Sequence, residues 1–342
     1  MRAAFFRTHG GPDVLEIGEA PEPVVATGTV VVGVRAVALN HLDLWVRRGI
    51  PGLNLDLPHI GGSDISGVIE EVGAAVEGWA VGDRVAVNPG LSCGSCSYCA
   101  VGEESLCRSF QILGEHVAGG TADRVRIPTT NLFRIPDSLE FRAAAAAPLV
   151  YQTAWRAVRT RARLSAGETL LITGGSGGVS TAAIQIGKHL GARVIVLTSG
   201  AENVQRCVSL GADSVMDRLQ TDLVAEVRAL TDSAGVDVIV DSVGEALWND
   251  CMRCLGSGGR LVTYGATTGA RVSLDIRHVF WKQLQVIGST MSSRSEFDEV
   301  MRLVAEGELR PVVDSVLPLE QIRAAHQALE AGEVFGKLVL VP

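Results

Sequence analysis

The chain has 342 residues, 47% hydrophobic and 20% charged, with a formal net charge of -8. That length supplies two domains with cores of their own. The acidic balance, without a lysine- or arginine-rich run, excludes a nucleic-acid surface, and no apolar run approaches the roughly 20 residues of a membrane span.

Residues 1–7 open on a strand-like segment without a secretory pattern. The seven cysteines are therefore expected in a reducing cytoplasm, where clustered cysteines are metal ligands rather than disulfides. Up to about residue 140 the sequence predicts an antiparallel β domain: short apolar runs at 30–37, 68–72, 84–87 and 122–127 alternate with Gly, Pro, Asn and Asp turns. Within it, Cys93, Cys96, Cys99 and Cys107 form C-x2-C-x2-C-x7-C in a loop rich in Gly and Ser. Four thiolates at such spacing can close a tetrahedron around a structural zinc, with no open position. Cys251 and Cys254 repeat the C-x2-C spacing, but in a helical stretch, 246–255, with no second pair; they read as buried small apolar side chains. The alanine run 143–147 before Pro148 reads as a close-packed helical turn at a domain junction.

From Leu164 the rhythm changes to strand and helix in alternation. Strands are predicted at 170–173, 193–197, 213–216, 236–241, 260–264 and 285–289, with helices between most of them, which is a doubly wound parallel sheet. A helix at 294–305 follows, and a final strand at 336–341 returns to the first domain. The stretch 170–183 carries the clearest chemistry. An apolar strand runs into a turn holding Gly174, Gly175, Ser176, Gly177 and Gly178, and then Val179, Ala182, Ala183, Ile186 and Leu190 fall at helical spacing. Strand, glycine turn and helix predict a dinucleotide whose pyrophosphate sits at the helix N-terminus. Ser180 takes the place of the usual third glycine. The second strand ends in Thr198-Ser199-Gly200 with no acid to hold a ribose 2′-hydroxyl, and Asn203 stands where a basic residue is often found. The cofactor expected is NADP, with NAD as the alternative.

Asn40-His41-Leu42-Asp43, Gly62-Ser63-Asp64-Ile65-Ser66-Gly67 followed by Glu71-Val72-Gly73, and Val81-Gly82-Asp83-Arg84-Val85 resemble the medium-chain dehydrogenase/reductase superfamily. So do the four-cysteine lobe, the turn at 175–180 and Gly336-Lys337-Leu338-Val339. The resemblance covers nearly the whole chain. It implies an α/β fold in which a GroES-like β domain is split around a Rossmann domain: residues 1–147 with the zinc lobe at about 90–110, then 148–290, then 291–342 returning to the catalytic domain. It implies an active site in the cleft between the domains. It also implies that His41 contacts the cofactor phosphates and that Thr153, Ser242, Val243, Gly265, Ala266 and Lys337 line the cofactor.

The family's three catalytic-zinc ligands fall at Asn40, at Ser63 and near Leu149, and its proton-relaying hydroxyl falls at Leu42. Asn and Ser are poor zinc ligands, so the resemblance implies a structural zinc kept and a catalytic zinc lost. An unusual metal site built from His41, His59, Asp64 and His116 is the alternative. In the zinc-free branch Trp45 takes a tyrosine position and can stack on a flat substrate, Asn40 donates to an enolate oxygen, and Asp43 orients a neighbour. Asp64, Tyr151, His59 and His116 are the candidates to deliver a proton. The function expected is NAD(P)H-dependent reduction of an enone or a quinone, a small-molecule substrate. The alternatives are a zinc-type alcohol or aldehyde dehydrogenase with unusual ligands, and a non-redox nucleotide-binding or tailoring protein. The apolar edge strand at 285–289 predicts a homodimer, or a tetramer, through edge pairing.

Overall fold

The computed structural model describes residues 1–342 and divides into two units, Met1–Gln152 with Ser292–Pro342, and Thr153–Met291. The first unit opens with an antiparallel pair, β1 (Arg2–Phe6) and β2 (Leu15–Glu19), followed by β3 (Thr29–Ala38). β3 reads TVVVGVRAVA, and only Thr29 and Arg35 escape full burial. Its β-branched side chains suit a pleat covered on both faces. α1 (His41–Arg48) begins three residues later because Asp43 reaches back to the Asn40 N–H at 2.7 Å and fastens the first turn. Next come β4 (His59–Ile60), β5 (Asp64–Val72) and β6 (Arg84–Val87). The short pair β7 (Gly90–Leu91) and β8 (Gln111–Ile112) brackets the cysteine loop. β9 (Arg124–Pro128), β10 (Leu132–Arg134) and α2 (Phe141–Ala145), the predicted alanine turn, complete this stretch. α3 (Pro148–Trp155) leads on into the second unit.

That unit alternates β11 (Thr169–Ile172), α4 (Gly178–His189), β12 (Arg193–Thr198), α5 (Ala201–Ser209), β13 (Ser214–Asp217) and α6 (Leu223–Leu230). It continues with β14 (Val236–Asp241), α7 (Trp248–Cys254), β15 (Leu255–Thr263), α8 (Ile276–Lys282) and β16 (Gln285–Gly288). The six strands are parallel in the order β13-β12-β11-β14-β15-β16. The order reverses at β11, and ligands of such sheets bind outside the strands' carboxyl ends at that point. Cys251 and Cys254 are fully buried in the core with Leu171, Ile239 and Leu261.

The chain then returns to the first unit with α9 (Arg294–Ala305), β17 (Val313–Pro318), α10 (Ile322–Ala331) and β18 (Lys337–Val341). β17 and α10 are additions to the predicted elements. β17 reads VDSVLP and is only half-buried, so its alternation is faint. β18 inserts between β3 and β17 in the sheet order β10-β6-β5-β3-β18-β17. Val339 pairs with Ala38, and Ala38 with Asp64. Carried two residues further, these antiparallel registers set Asn40 opposite Lys337 on one side and Gly62 on the other. No helix is long and apolar enough to cross a membrane.

Candidate functional site

In the first unit the register gathers a polar cluster where three strands meet. Asp64 is wholly buried. Its Oδ2 accepts from Lys337 Nζ at 2.8 Å and from Asn40 Nδ2 at 2.9 Å, and its Oδ1 accepts from the Leu149 backbone N–H at 2.7 Å. Lys337 Nζ also donates to Asn40 Oδ1. Asp43 accepts from the N–H of Gly62 at 2.9 Å and of Asn40 at 2.7 Å. Burial pushes its carboxyl up to about 6, against those two bonds and the charge of Lys337.

Several sequence expectations change here. The Asn40 amide is held at both ends, by Lys337 on its oxygen and by Asp64 and, at 3.5 Å, the Ala38 carbonyl on its nitrogen. It is a bracing group rather than a donor to substrate. Lys337, expected along the cofactor, has its ammonium inside the first unit with only 3% of the residue exposed. Asp64 is an ion-paired carboxylate rather than a proton donor. The Tyr151 hydroxyl donates to the Arg310 carbonyl at 2.9 Å and is buried, which gives it an anchoring role.

His41, His59, Asp64 and His116 do not converge. His59 Nε2 meets the Gly114 carbonyl at 3.0 Å, while His116 Nδ1 accepts from the Ile112 N–H at 3.2 Å. Burial, then Lys337 and Arg48, hold His41 below its ordinary range. Trp45 is 39% exposed on α1, its ring 6.5 Å from that of His41.

The cysteines do converge: the Sγ atoms of Cys93, Cys96, Cys99 and Cys107 all lie within 4.8 Å of one another. Adjacent pairs stand at 3.5 to 3.9 Å. Four thiolates about 2.3 Å from a zinc, at tetrahedral angles, stand about 3.8 Å apart. The lobe therefore fits a zinc ion held by these four residues, closed to chemistry.

In the second unit the glycine turn meets the demands of a dinucleotide. Gly174 has φ +62°, and a Cβ on Gly175 would lie 2.4 Å from Val196 Cγ1. Only glycine lets the turn approach β12 so closely. Gly177 caps α4 without a side chain, leaving the N–H groups of Gly178, Val179 and their neighbours for an anion. Ser180 donates to the Thr173 carbonyl at 3.0 Å, and close helix–sheet contact falls instead to Gly187, whose Cβ would lie 2.9 Å from Leu170 and Val194 side-chain atoms.

Asp241 ties the neighbouring strand ends together: Thr173 donates to Oδ1 at 2.6 Å, and the N–H groups of Val243 and Gly244 follow at 3.2 and 3.0 Å. Ser242 accepts from the Thr267 N–H, and Gly265 packs against its Cβ with Ala266 next in the loop. Thr153 and Thr198 are buried. Asn203 donates to the Ser199 carbonyl at 2.9 Å. A residue the sequence left unmarked completes this tip: Arg218, just past β13, donates from Nε to the Ser199 hydroxyl. Its distance in sequence from β12 hid it.

The alcohol dehydrogenase GroES-like domain matches residues 26–137 and the zinc-binding dehydrogenase domain matches residues 178–306. The chain belongs to the medium-chain dehydrogenase/reductase family and is an NAD(P)-dependent oxidoreductase. Over the full length of both chains it is 34% identical to an NAD-dependent alcohol dehydrogenase of Saccharolobus solfataricus. It is 31% identical to an acryloyl-coenzyme A reductase of Metallosphaera sedula, over 95% of this chain and 96% of that one. Among solved structures, an NAD-dependent alcohol dehydrogenase is 44% identical with TM-score 0.97, covering all of both chains. A protein named AibC is 38% identical with TM-score 0.93, covering all of this chain and 96% of its own.

Proposed function

We propose that this chain uses NADPH to reduce a carbon–carbon double bond conjugated to a carbonyl, or a quinone, without a catalytic metal. The observation that carries the reading is the buried Asp64–Lys337 ion pair. Asn40, Ser63 and Leu149, the positions of the family's catalytic-zinc ligands, gather around it. They offer an amide, a hydroxyl and a backbone N–H; an ammonium already stands on Asp64, and Asp43 is held by two backbone N–H groups. Such a donor set does not fit Zn²⁺. A conjugated substrate spreads the negative charge that reduction creates, so hydrogen-bond donors suffice where an unactivated alcohol would need a Lewis acid. A bound nicotinamide supplies the hydride; the protein binds, orients and excludes water. The relatives named acryloyl-coenzyme A reductase support this chemistry. The β12 end Thr198-Ser199-Gly200 carries no acid of its own, although Asp217 accepts from the Gly200 N–H at 3.1 Å; Arg218 beside the Ser199 hydroxyl supports NADPH over NADH.

A second reading, an NAD-dependent alcohol dehydrogenase, is favoured by the names of other relatives. A panel of enones, acryloyl-coenzyme A, quinones and primary and secondary alcohols, run with both nucleotides and with or without a chelator, decides between them. The expected outcome is fastest turnover of a conjugated substrate with NADPH. An alcohol as best substrate, with chelation abolishing turnover of a still-folded protein, overturns the proposal.

The reading extends to assembly. β16 is the outer strand of its sheet, with Val286 exposed, and Ile276, Phe280 and Trp281 on α8 stand 64% to 83% exposed. An open edge beside bare apolar side chains supports a two-fold dimer that continues the sheet.

A further inference from the structure

A cavity in the first unit has polar walls. Asp43 and Arg47 on α1, Gly62, Thr121 and His326 on α10 line it, with apolar side chains such as Ile322 between them. About 10 Å³ of it admits the centre of a water, room for one molecule; a cavity of that size with two or more polar partners holds a water, whereas an apolar one stays dry. The partners are present. Arg47 spends its N–H groups on the Gly10 carbonyl at 3.1 Å, on His326 Nδ1 at 2.9 Å and on Glu330, rather than on Asp43. A guanidinium only donates, so Nδ1 is the acceptor and the neutral ring carries its hydrogen on Nε2. His326 is buried, and that Nε2–H has no partner in the protein. Across the cavity each Asp43 oxygen accepts a single backbone N–H, from Asn40 and from Gly62, which leaves lone pairs on both.

We propose that this cavity binds one structural water, which accepts from His326 Nε2–H and donates to the Asp43 carboxylate. The inference stands apart from the proposed reduction and concerns the first unit alone. The water ties α10 to the first turn of α1. Asp43 in turn holds the N–H groups of Asn40 and Gly62, so the bridge braces one side of the polar cluster, while Lys337 on β18, the strand that follows α10, braces the other. The bridge also acts on the charge of Asp43. Burial favours the protonated carboxyl, and a donor on the ionised form opposes it. A bond to a buried charge is of the stronger kind, and a water-mediated one is nearly as good as a direct one.

The test compares wild type with His326→Gln and His326→Leu by high-resolution crystallography and by NMR titration of the aspartate carboxyl carbons, with Asp43→Asn assigning the Asp43 signal. Wild type should show one ordered water within hydrogen-bond distance of both Asp43 and His326 Nε2. Gln carries an acceptor for Arg47 and a donor for the water, so His326→Gln should keep it; His326→Leu should lose it. Burial keeps His326 neutral, so neither substitution removes a charge. The charges that bear on Asp43, Lys337 on β18 and Asp64 on β5, and Arg47 across the cavity wall, stay in place. In His326→Leu, Asp43 should then bind its proton about tenfold more tightly, and in His326→Gln nearly as in wild type. A wild-type cavity without a water, or with one out of reach of Asp43 or His326, overturns the inference whether or not the variants fold. An Asp43 titration unmoved in His326→Leu overturns it as well.

Discussion

On the proposed use of NADPH, Arg218 is the side chain that would separate two nearly identical nucleotides. Its guanidinium lies against the Ser199 hydroxyl at the end of β12, where a 2′-phosphate would bring two negative charges and a 2′-hydroxyl none. Charge-assisted bonds of this kind are worth about 1.5–3 kcal/mol. Arg218→Ala should therefore weaken NADPH at least about tenfold and leave NADH unchanged; equal weakening of both nucleotides in a fluorescence titration would contradict the assignment. His326 offers a second residue-scale test. Arg47, only 1% exposed, donates to His326 Nδ1 at 2.9 Å and also meets Glu330, which Arg48 contacts at 2.8 Å. Burial, and then the charge of Arg47, lower His326 from 6.5 to about 3. Between those values the unfolded chain binds the proton and the folded chain does not, so stability falls as pH drops through the window. His326→Gln should flatten that dependence by about 1.4 kcal/mol per pH unit, read from urea melts between pH 6 and pH 4.

At the scale of elements, the cysteine lobe between β7 and β8 has little apolar content of its own and is expected to hold its shape through the metal. Cys96→Ser should reduce zinc content and remove about 2 kcal/mol, roughly 4–8 °C in Tm. NADPH affinity should be retained, since that site is built in the other unit. Metal analysis alongside calorimetry checks this. The lobe was legible in sequence because its ligands are close neighbours, and the glycine turn because strand, turn and helix are contiguous. The polar cluster was legible only in its parts. Asn40, Asp43 and Asp64 were singled out, but their roles depend on Lys337, which lies 297 residues from Asn40 and reaches it only through the pairing of β18 with β3. Ser63 was visible as a replaced ligand; that its hydroxyl is unpartnered needed the packing. β17 escaped for a plainer reason, since a half-buried strand with Asp and Ser in it gives a weak local signal. By contrast α10, with Ile322, Ala325, His326 and Leu329 at helical spacing and Gly332 at its end, was legible and passed over.

For the whole molecule, the exposed face of α8 and the β16 edge make assembly the first property to measure. Val286→Glu with Trp281→Ser places a charge on the edge and removes the most exposed large apolar side chain, at 83%. Light scattering should find the wild type at twice the 36.0 kDa chain mass and the double variant at the single mass, with nucleotide binding intact. A wild type that is already a single chain at micromolar concentration removes the dimer.

The insertion of β18 beside β3 also bears on how the protein comes into being. The nucleotide-binding unit is one continuous segment, Thr153–Met291, whereas the other unit needs residues from both sides of it. As the ribosome delivers the chain, the inserted unit can complete its parallel sheet while the first β domain still lacks β17 and β18. Until β18 arrives, Asp64 has no countercharge and β3 has a vacant flank, an edge of the kind that invites wrong pairing. The long wait between β3 and its partner gives the β domain a high contact order and a slow closing step. The ion pair of the polar cluster cannot form until the last strand of the chain has been made.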